Sequence, residues 1–277
     1  MPIRTVMSIT LLEESDDGIN AAADFCAETG AHLSLVVIGL AVPPPMGDFD
    51  VLTAEWHEIR RRNIDAVANR AARAREILTR YGISCDVGTE YAEPGWLDDA
   101  IGLRARCCDL VYVHRNVLAA EDAVVPLMQG CLFQSARPVL IVPAGIKATL
   151  QPENVMIAWD SRLESARAVS NALEIMSKAK HVHIAIVDPI ASDAFDGAEP
   201  GADIAAYLAR HGLAVTVDQL AGGGRPAADV LKQHATDIGA DLIVMGAYSH
   251  SRLRERIFGG VTRSFIEGAR LPVLMSH

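Results

Sequence analysis

Short apolar runs alternate with amphipathic stretches along this chain, and the alternation is clearest in its second half. Val155–Trp159 reads as a short buried strand. Ser161 stands three residues before Glu164, a capping-box signal, and Ala166, Val169, Leu173 and Met176 follow at helical spacing. His183–Val187 is a second strand. Ile204 and Leu208 mark the inward side of a helix that ends near Gly212, and Leu213–Val217 is a third strand. Pro226 suits a first helical turn, and Val230, Leu231 and Ile238 face inward from the helix it opens. Leu242–Met245 is a continuous apolar run, as a strand buried on both faces requires. A last helix carrying Val261, Phe265 and Ile266 leads into a final strand, Pro272–Met275.

The first half repeats this order. Ala31–Ile38 matches Lys180–Val187, Tyr81–Ile83 matches His211–Leu213, Asp109–Val113 matches Asp241–Met245, and Pro138–Ile141 matches Pro272–Met275. The offset falls from 149 to 130 between the first two blocks, so the first half carries 19 extra residues after its second strand, around Pro43–Gly47. Alternating strands and helices predict an α/β fold of two tandem, doubly wound, five-stranded parallel sheets. The expected domains are 1–146 and 151–277, joined near Ala144–Pro152. In such sheets ligands bind beyond the carboxyl ends of the strands, at the point where strand order reverses.

Composition narrows the function classes. The 277 residues are 50% hydrophobic but only 5% aromatic, so the cores are aliphatic. A net charge of −10 lacks the cationic face that nucleic acid demands. No run of about 18 apolar residues predicts a membrane span, and the start, interrupted by Arg4 and Ser8, does not read as a signal peptide. A cytoplasmic protein is expected. Five cysteines, Cys26, Cys85, Cys107, Cys108 and Cys131, form no Cys-x-x-Cys. Adjacent Cys107 and Cys108 leave open a vicinal, oxidant-sensing pair or small buried hydrophobes. His181 and His183 alternate along a strand with no sequence neighbour at metal-ligand spacing, and no metal site is expected.

The chemistry concentrates after the fourth strand of the second half. Gly246 lets the chain turn sharply off that strand, and Gly259-Gly260 opens a helix whose free N–H groups suit an anion. Thr262 adds a hydroxyl. Arg252, Arg254, Arg256 and Arg263 stand against one acid, Glu255, a basic stretch in an acidic chain. It suits phosphate, an acidic partner or a solvated face. His250 leaves open a phosphate contact, a base or a plain loop residue, and Asp160 leaves open a ligand contact or a cap on the following helix.

This segment resembles the nucleotide loop of the universal stress protein family, Gly-x2-Gly-x9-Gly-Ser/Thr, with Gly246 and Gly259 at the family spacing. Asp241–Gly246 and Pro272–Leu274 match its flanks. Ser249 replaces the second glycine, and Gly260 replaces the Ser/Thr. The resemblance implies a Rossmann-like, adenine nucleotide alpha-hydrolase-like fold in tandem form. It implies an adenine nucleotide such as ATP as ligand, with Mg2+ arriving only with the nucleotide. The residues it points to are Ala158, Asp160, Val187, Gly246, Ser249, Gly259, Gly260, Val261 and Thr262. In the first half no glycine stands at an early loop position after Val113, Gln129-Gly130 takes the place of Gly259-Gly260, acids Glu121 and Asp122 stand in the loop, and the first strand lacks the aspartate, so that site is expected to be degenerate and empty.

The resemblance makes the chain a stress-response protein, with pairing of its two copies through Pro138–Val142 and Pro272–Met275, and with a homodimer as a further option. Three functions stand at this point: a nucleotide-responsive regulator, a nucleotide-independent interaction module, and a slow ATPase. No P-loop, no Gly-x-Ser-x-Gly elbow and no evident general base favours the last.

Overall fold

The computed structural model describes residues 3–44, 54–190, 199–248 and 260–277. They form two compact units, Ile3–Arg137 and Pro138–His277. In the first, the elements in chain order are β1 (Thr5–Leu11), α1 (Asp17–Thr29), β2 (His32–Leu40), α2 (Ala54–Thr79), β3 (Cys85–Ala92), α3 (Leu97–Ala105), β4 (Leu110–His114) and α4 (Glu121–Gln129). The strands are parallel in the order β3-β2-β1-β4. Val6, Met7, Ile9, Leu33, Leu35 and Val111 bury the sheet, and the Phe25 and Tyr112 rings meet at 5.3 Å. Part of the extra length of this half lies in α2, which has 26 residues.

The second unit contains β5 (Val139–Val142), β6 (Asn154–Ala158), α5 (Leu163–Met176), β7 (His181–Val187), α6 (Ala202–Arg210), β8 (Val215–Leu220), α7 (Ala227–Asp237), β9 (Leu242–Gly246), α8 (Gly260–Gly268) and β10 (Val273–Ser276). Its order is β5-β10-β9-β6-β7-β8. The five strands β6 to β10 are parallel, as expected of this half. β5 is antiparallel to β10, with Ile141 opposite Val273 and Val139 opposite Met275. The helix α6, which occupies the place of α2, has only nine residues.

The repeat extends to single hydrogen bonds. Asp109, just before β4, accepts from the N–H groups of Arg4 and Thr5 at 2.8 and 2.9 Å. Asp241, just before β9, accepts from those of Glu153 and Asn154 at the same two distances. Each carboxylate locks the start of a central strand to its neighbour, which explains why both repeat blocks begin with aspartate.

Two local expectations are corrected. The N-cap of α5 is Arg162, not Ser161, and Ser161 takes a left-handed conformation at φ 59°. Asp160 supplies the turn instead, accepting from Arg162 N–H at 3.2 Å. The buried side of α5 is Ser165, Ala168, Val169, Ala172, Ile175 and Met176, so Ala166 is exposed and Leu173 half-buried. Strand β8 runs two to three residues later than Leu213–Val217, because Gly212 at φ 80° ends the turn and Leu213 packs as a buried plug before the strand begins.

All five cysteines are free thiols. Cys26, Cys108 and Cys131 are buried, and desolvation pushes Cys26 up to about 12 and Cys108 to about 11. Cys107 is exposed and Cys108 is not, with its thiol donating to Ala105 O. No helix among the described residues is long and apolar enough to cross a membrane.

Candidate functional site

Order reverses in the second unit at β6. Ala158, its last residue, lies with Ala185 of β7 on one side and Met245 of β9 on the other. The carboxyl ends of these three strands bring Ala158, Asp160, Val187 and Gly246 together, and β9 is followed across the loop by α8, which opens with Gly260, Val261 and Thr262. Ser249 and Gly259, with His250, Arg252, Arg254 and Arg256, lie outside the described residues.

The backbone is bent tightly after all three strand ends. Ser161, Asp188 and Tyr248 have φ of 59°, 48° and 66°, a left-handed conformation that costs a non-glycine residue about 1–2 kcal/mol each. Each is held by a hydrogen bond nearby. Asp188 accepts from Gly222 N–H at 2.8 Å. Tyr248 N–H donates to Thr262 Oγ1 at 3.3 Å. Asp160 closes the turn into α5 and also lies 3.9 Å from the Arg162 guanidinium.

Gly246 is where side-chain absence counts. A Cβ built there would stand 2.6 Å from Ser165 N and 2.8 Å from Glu164 C, at the first turn of α5. The strand end and the helix start therefore approach at backbone distance. Gly260 is different, because a Cβ there would meet nothing within 4 Å among the described residues. The N–H groups of the first turn of α8 have no partners within the helix. Thr262 is buried, and its hydroxyl oxygen accepts from Tyr248 N–H in holding that turn. Val261 is half-buried on the same turn. Glycine at the strand end and the N-terminus of α8 fit a phosphate-bearing ligand.

The corresponding place in the first unit is filled from within. Where β9 ends in Gly246, β4 ends in His114, which is buried and packs against Gly18 of α1. Desolvation lowers the His114 pKa, so its ring is held neutral. A 3₁₀ turn, Arg115–Ala119, replaces a glycine loop. Beyond β1, Arg70 reaches in from α2. It donates to Asp16 Oδ1 at 2.5 Å, Ser15 O at 3.1 Å and Thr10 Oγ1 at 3.2 Å. Arg73 chelates the same Asp16 carboxylate. Glu14 folds back to accept from Leu11 N–H and Thr10 Oγ1, both at 3.0 Å. Sequence reading noted the missing glycine and aspartate but not this plug. Its one visible sign was an arginine, Arg70, on the side of α2 that also carries Val67, Ala71 and Ala74.

Sequence reading also missed a cluster on the helix-covered side of the second sheet. His183 of β7, Asp218 of β8 and His234 of α7 converge, each half-buried.

Residues 152–277 match the model of the universal stress protein family. Comparison with curated protein sequences returns no match. Among solved structures, a universal stress protein from Archaeoglobus fulgidus superposes with a TM-score of 0.64 at 16% identity, covering 98% of this chain and 95% of its own. A putative universal stress protein from Pseudomonas aeruginosa gives a TM-score of 0.59 at 15% identity, covering 99% and 93%. Both have this fold over nearly their whole length.

Proposed function

We propose, from the match of residues 152–277 to the universal stress protein family, that the second unit binds an adenine nucleotide such as ATP and that the chain acts as a stress-linked regulator. The observation that carries the reading is the meeting of three strand ends around Ala158, with the first turn of α8 tied to the β9 end through Tyr248 and Thr262. Ala158, Asp160 and Val187 would receive the base and ribose. Gly246, Gly260, Val261 and Thr262, with Ser249 and Gly259 in the intervening loop, would receive the phosphates, and Mg2+ would enter only with them. The first unit, plugged by Arg70, Asp16 and His114, would bind none.

Calorimetry with ATP, ADP and AMP on the purified full chain tests this. One nucleotide per chain is expected. Gly260→Asp places a carboxylate at the first turn of α8, where it favours the helix but repels phosphate. It should abolish binding while leaving the melting temperature unchanged or higher. Undiminished affinity in that variant would refute the site.

A second reading, a nucleotide-independent interaction module in a cytoplasmic setting, is favoured by two observations. Asp160 and Thr262 are already engaged in holding turns, and Val139–Val142 is paired with Val273–Ser276. In this reading the two copies pair through their last strands and the basic loop contacts protein. Absence of binding at millimolar nucleotide would make it the leading function.

A further inference from the structure

We propose that His183, Asp218 and His234 form a binding site for one zinc-class divalent ion, separate from the strand-end site and independent of the nucleotide reading. The three residues come from three elements, β7, β8 and α7, and none is near another in sequence. His183 Nδ1 lies 2.8 Å from Asp218 Oδ2, and His234 Nε2 lies 2.9 Å from the same oxygen. All three potential ligand atoms fall within 4.8 Å of one another. The imidazole planes stand at 77°, with ring centroids 6.5 Å apart, so the two nitrogens approach the carboxylate from different directions.

The scaffold explains why these side chains meet. Asp218 pairs in register with Ala185, and His183 with Thr216, so the histidine and aspartate sit on the same sheet face one step apart on the diagonal. His234 follows Val230 and Leu231 at helical spacing, on the side of α7 that is buried against that face. Their side chains keep 21%, 20% and 16% of their exposure, so the cluster is only partly sealed from solvent.

Chemistry selects the class of ion. Two imidazole nitrogens and one carboxylate oxygen suit Zn2+, Co2+ or Ni2+, whereas Mg2+ and Ca2+ require mostly oxygen ligands. Ligand bonds of about 2.0–2.2 Å place tetrahedral ligand atoms roughly 3.3 Å apart. The observed separations of 2.8 and 2.9 Å need only a small outward relaxation to admit the ion. Three protein ligands leave a fourth position for water. The ion would bridge β7, β8 and α7, and so clamp the helix to the sheet. On binding, each neutral ring would keep its proton on the nitrogen away from Asp218, leaving His183 Nδ1 and His234 Nε2 as ligand atoms.

The full chain, stripped with chelator and desalted, is titrated with Zn2+ by calorimetry and with Co2+ by visible absorption. The expected result is one ion per chain at micromolar free metal and intense four-coordinate Co2+ bands. X-ray absorption of the unmutated Co2+ form should show nitrogen and oxygen ligands and no sulfur, which excludes the cysteines. His234→Ala and Asp218→Asn should each weaken binding by more than about 10-fold, since even outer partners of metal ligands carry that much. His181→Ala, on the same strand but exposed, should leave it unchanged. Sulfur in the coordination shell, undiminished binding in a folded His183→Ala/His234→Ala double variant, or no retained ion at micromolar metal would each overturn the proposal. The last result would leave the cluster as two histidines sharing protons with one carboxylate.

Discussion

Gly246 stands so close to Ser165 that a single added carbon would lie 2.6 Å from the Ser165 backbone nitrogen. The first unit makes the opposite arrangement from the same topology. There the strand end carries the large residue, His114, and the helix start carries the small one, Gly18. Small and large have changed places, and with them an open strand end has become a filled one. Gly246→Ala should therefore destabilise by about 1–3 kcal/mol, the usual cost of overpacking, and lower the urea midpoint. Gly18→Ala, whose new carbon would meet His114 Cβ at 3.3 Å, offsets its crowding with better helix propensity and should be nearly neutral. Equal losses in the two variants would contradict this account.

Arg70 is the buried half of the plug in the first unit, and its removal strands acceptors that it now satisfies. Arg70→Ala should cost about 3 kcal/mol, as expected when one partner of a buried pair is lost. Arg70→Met, which keeps the packing of the stem, should cost less. Chemical denaturation of both variants measures the difference.

Glu14 and Asp16 respond to acid in opposite senses. Burial raises the Glu14 pKa, so its folded form favours the proton. The associated stability is present below the unfolded carboxyl range and is lost as pH rises through the folded value. The Arg73 and Arg70 guanidinium groups lower the Asp16 pKa, so its stabilisation is present above the unfolded range and is lost as pH falls through the folded value. On acidification from neutral, stability should first rise as Glu14 protonates and then fall as Asp16 does. Glu14→Gln should raise stability at neutral pH and remove the rise, leaving only the fall. Unfolding curves taken across the acid range resolve the two steps.

Asp188 and Gly222 are bound at the far side of the β7 end, where a Cβ on Gly222 would lie 2.2 Å from the Asp188 carboxylate. Gly222→Ala must push that carboxylate aside and break the 2.8 Å bond that holds it, with a loss of about 1–2 kcal/mol. Asp188→Gly loses the bond but relieves the left-handed backbone at φ 48°, and should lose less. Thermal unfolding should rank the two variants in that order.

Lys232 joins α7 to α8. Its ammonium donates to Ser264 O and Oγ, both at 2.7 Å, and sits over the Phe265 ring at 5.3 Å. Lys232→Met should lower stability by about 1–2 kcal/mol. It should also speed hydrogen exchange in Gly260–Gly268 more than in α5, and equal acceleration in both helices would argue against a specific tie.

Much of the second unit was legible because its strands are continuous apolar runs, and Leu242–Met245 could hardly be anything else. The phase of α5 was not. Ala166 and Leu173 are apolar, but Ser165 takes the buried position because Gly246 brings β9 against the helix start, and no local pattern reports that approach. Strand β8 continues past Val217 through Asp218 and Gln219, where the apolar run has ended. They belong to a half-exposed strand where polar side chains are tolerated. Ala158, Val187 and Gly246 lie at the carboxyl ends of neighbouring strands, a placement that strand order alone dictates. The meeting of His183, Asp218 and His234 depends on strand register and on the facing of α7, which a sequence read one element at a time does not supply.

The antiparallel strand Val139–Val142 has a practical consequence. It covers the backbone of Val273–Met275, which would otherwise present a row of unpaired amides and carbonyls at the rim of the sheet. A fragment cut at the linker and begun at residue 151 keeps all five parallel strands but bares that edge. Exposed strands of this kind template further pairing. Such a fragment should self-associate through its last strand, and the full chain, which keeps Val139–Val142 in place, should not. The few residues on the near side of the linker thus act as a sheath for the final strand of the second half.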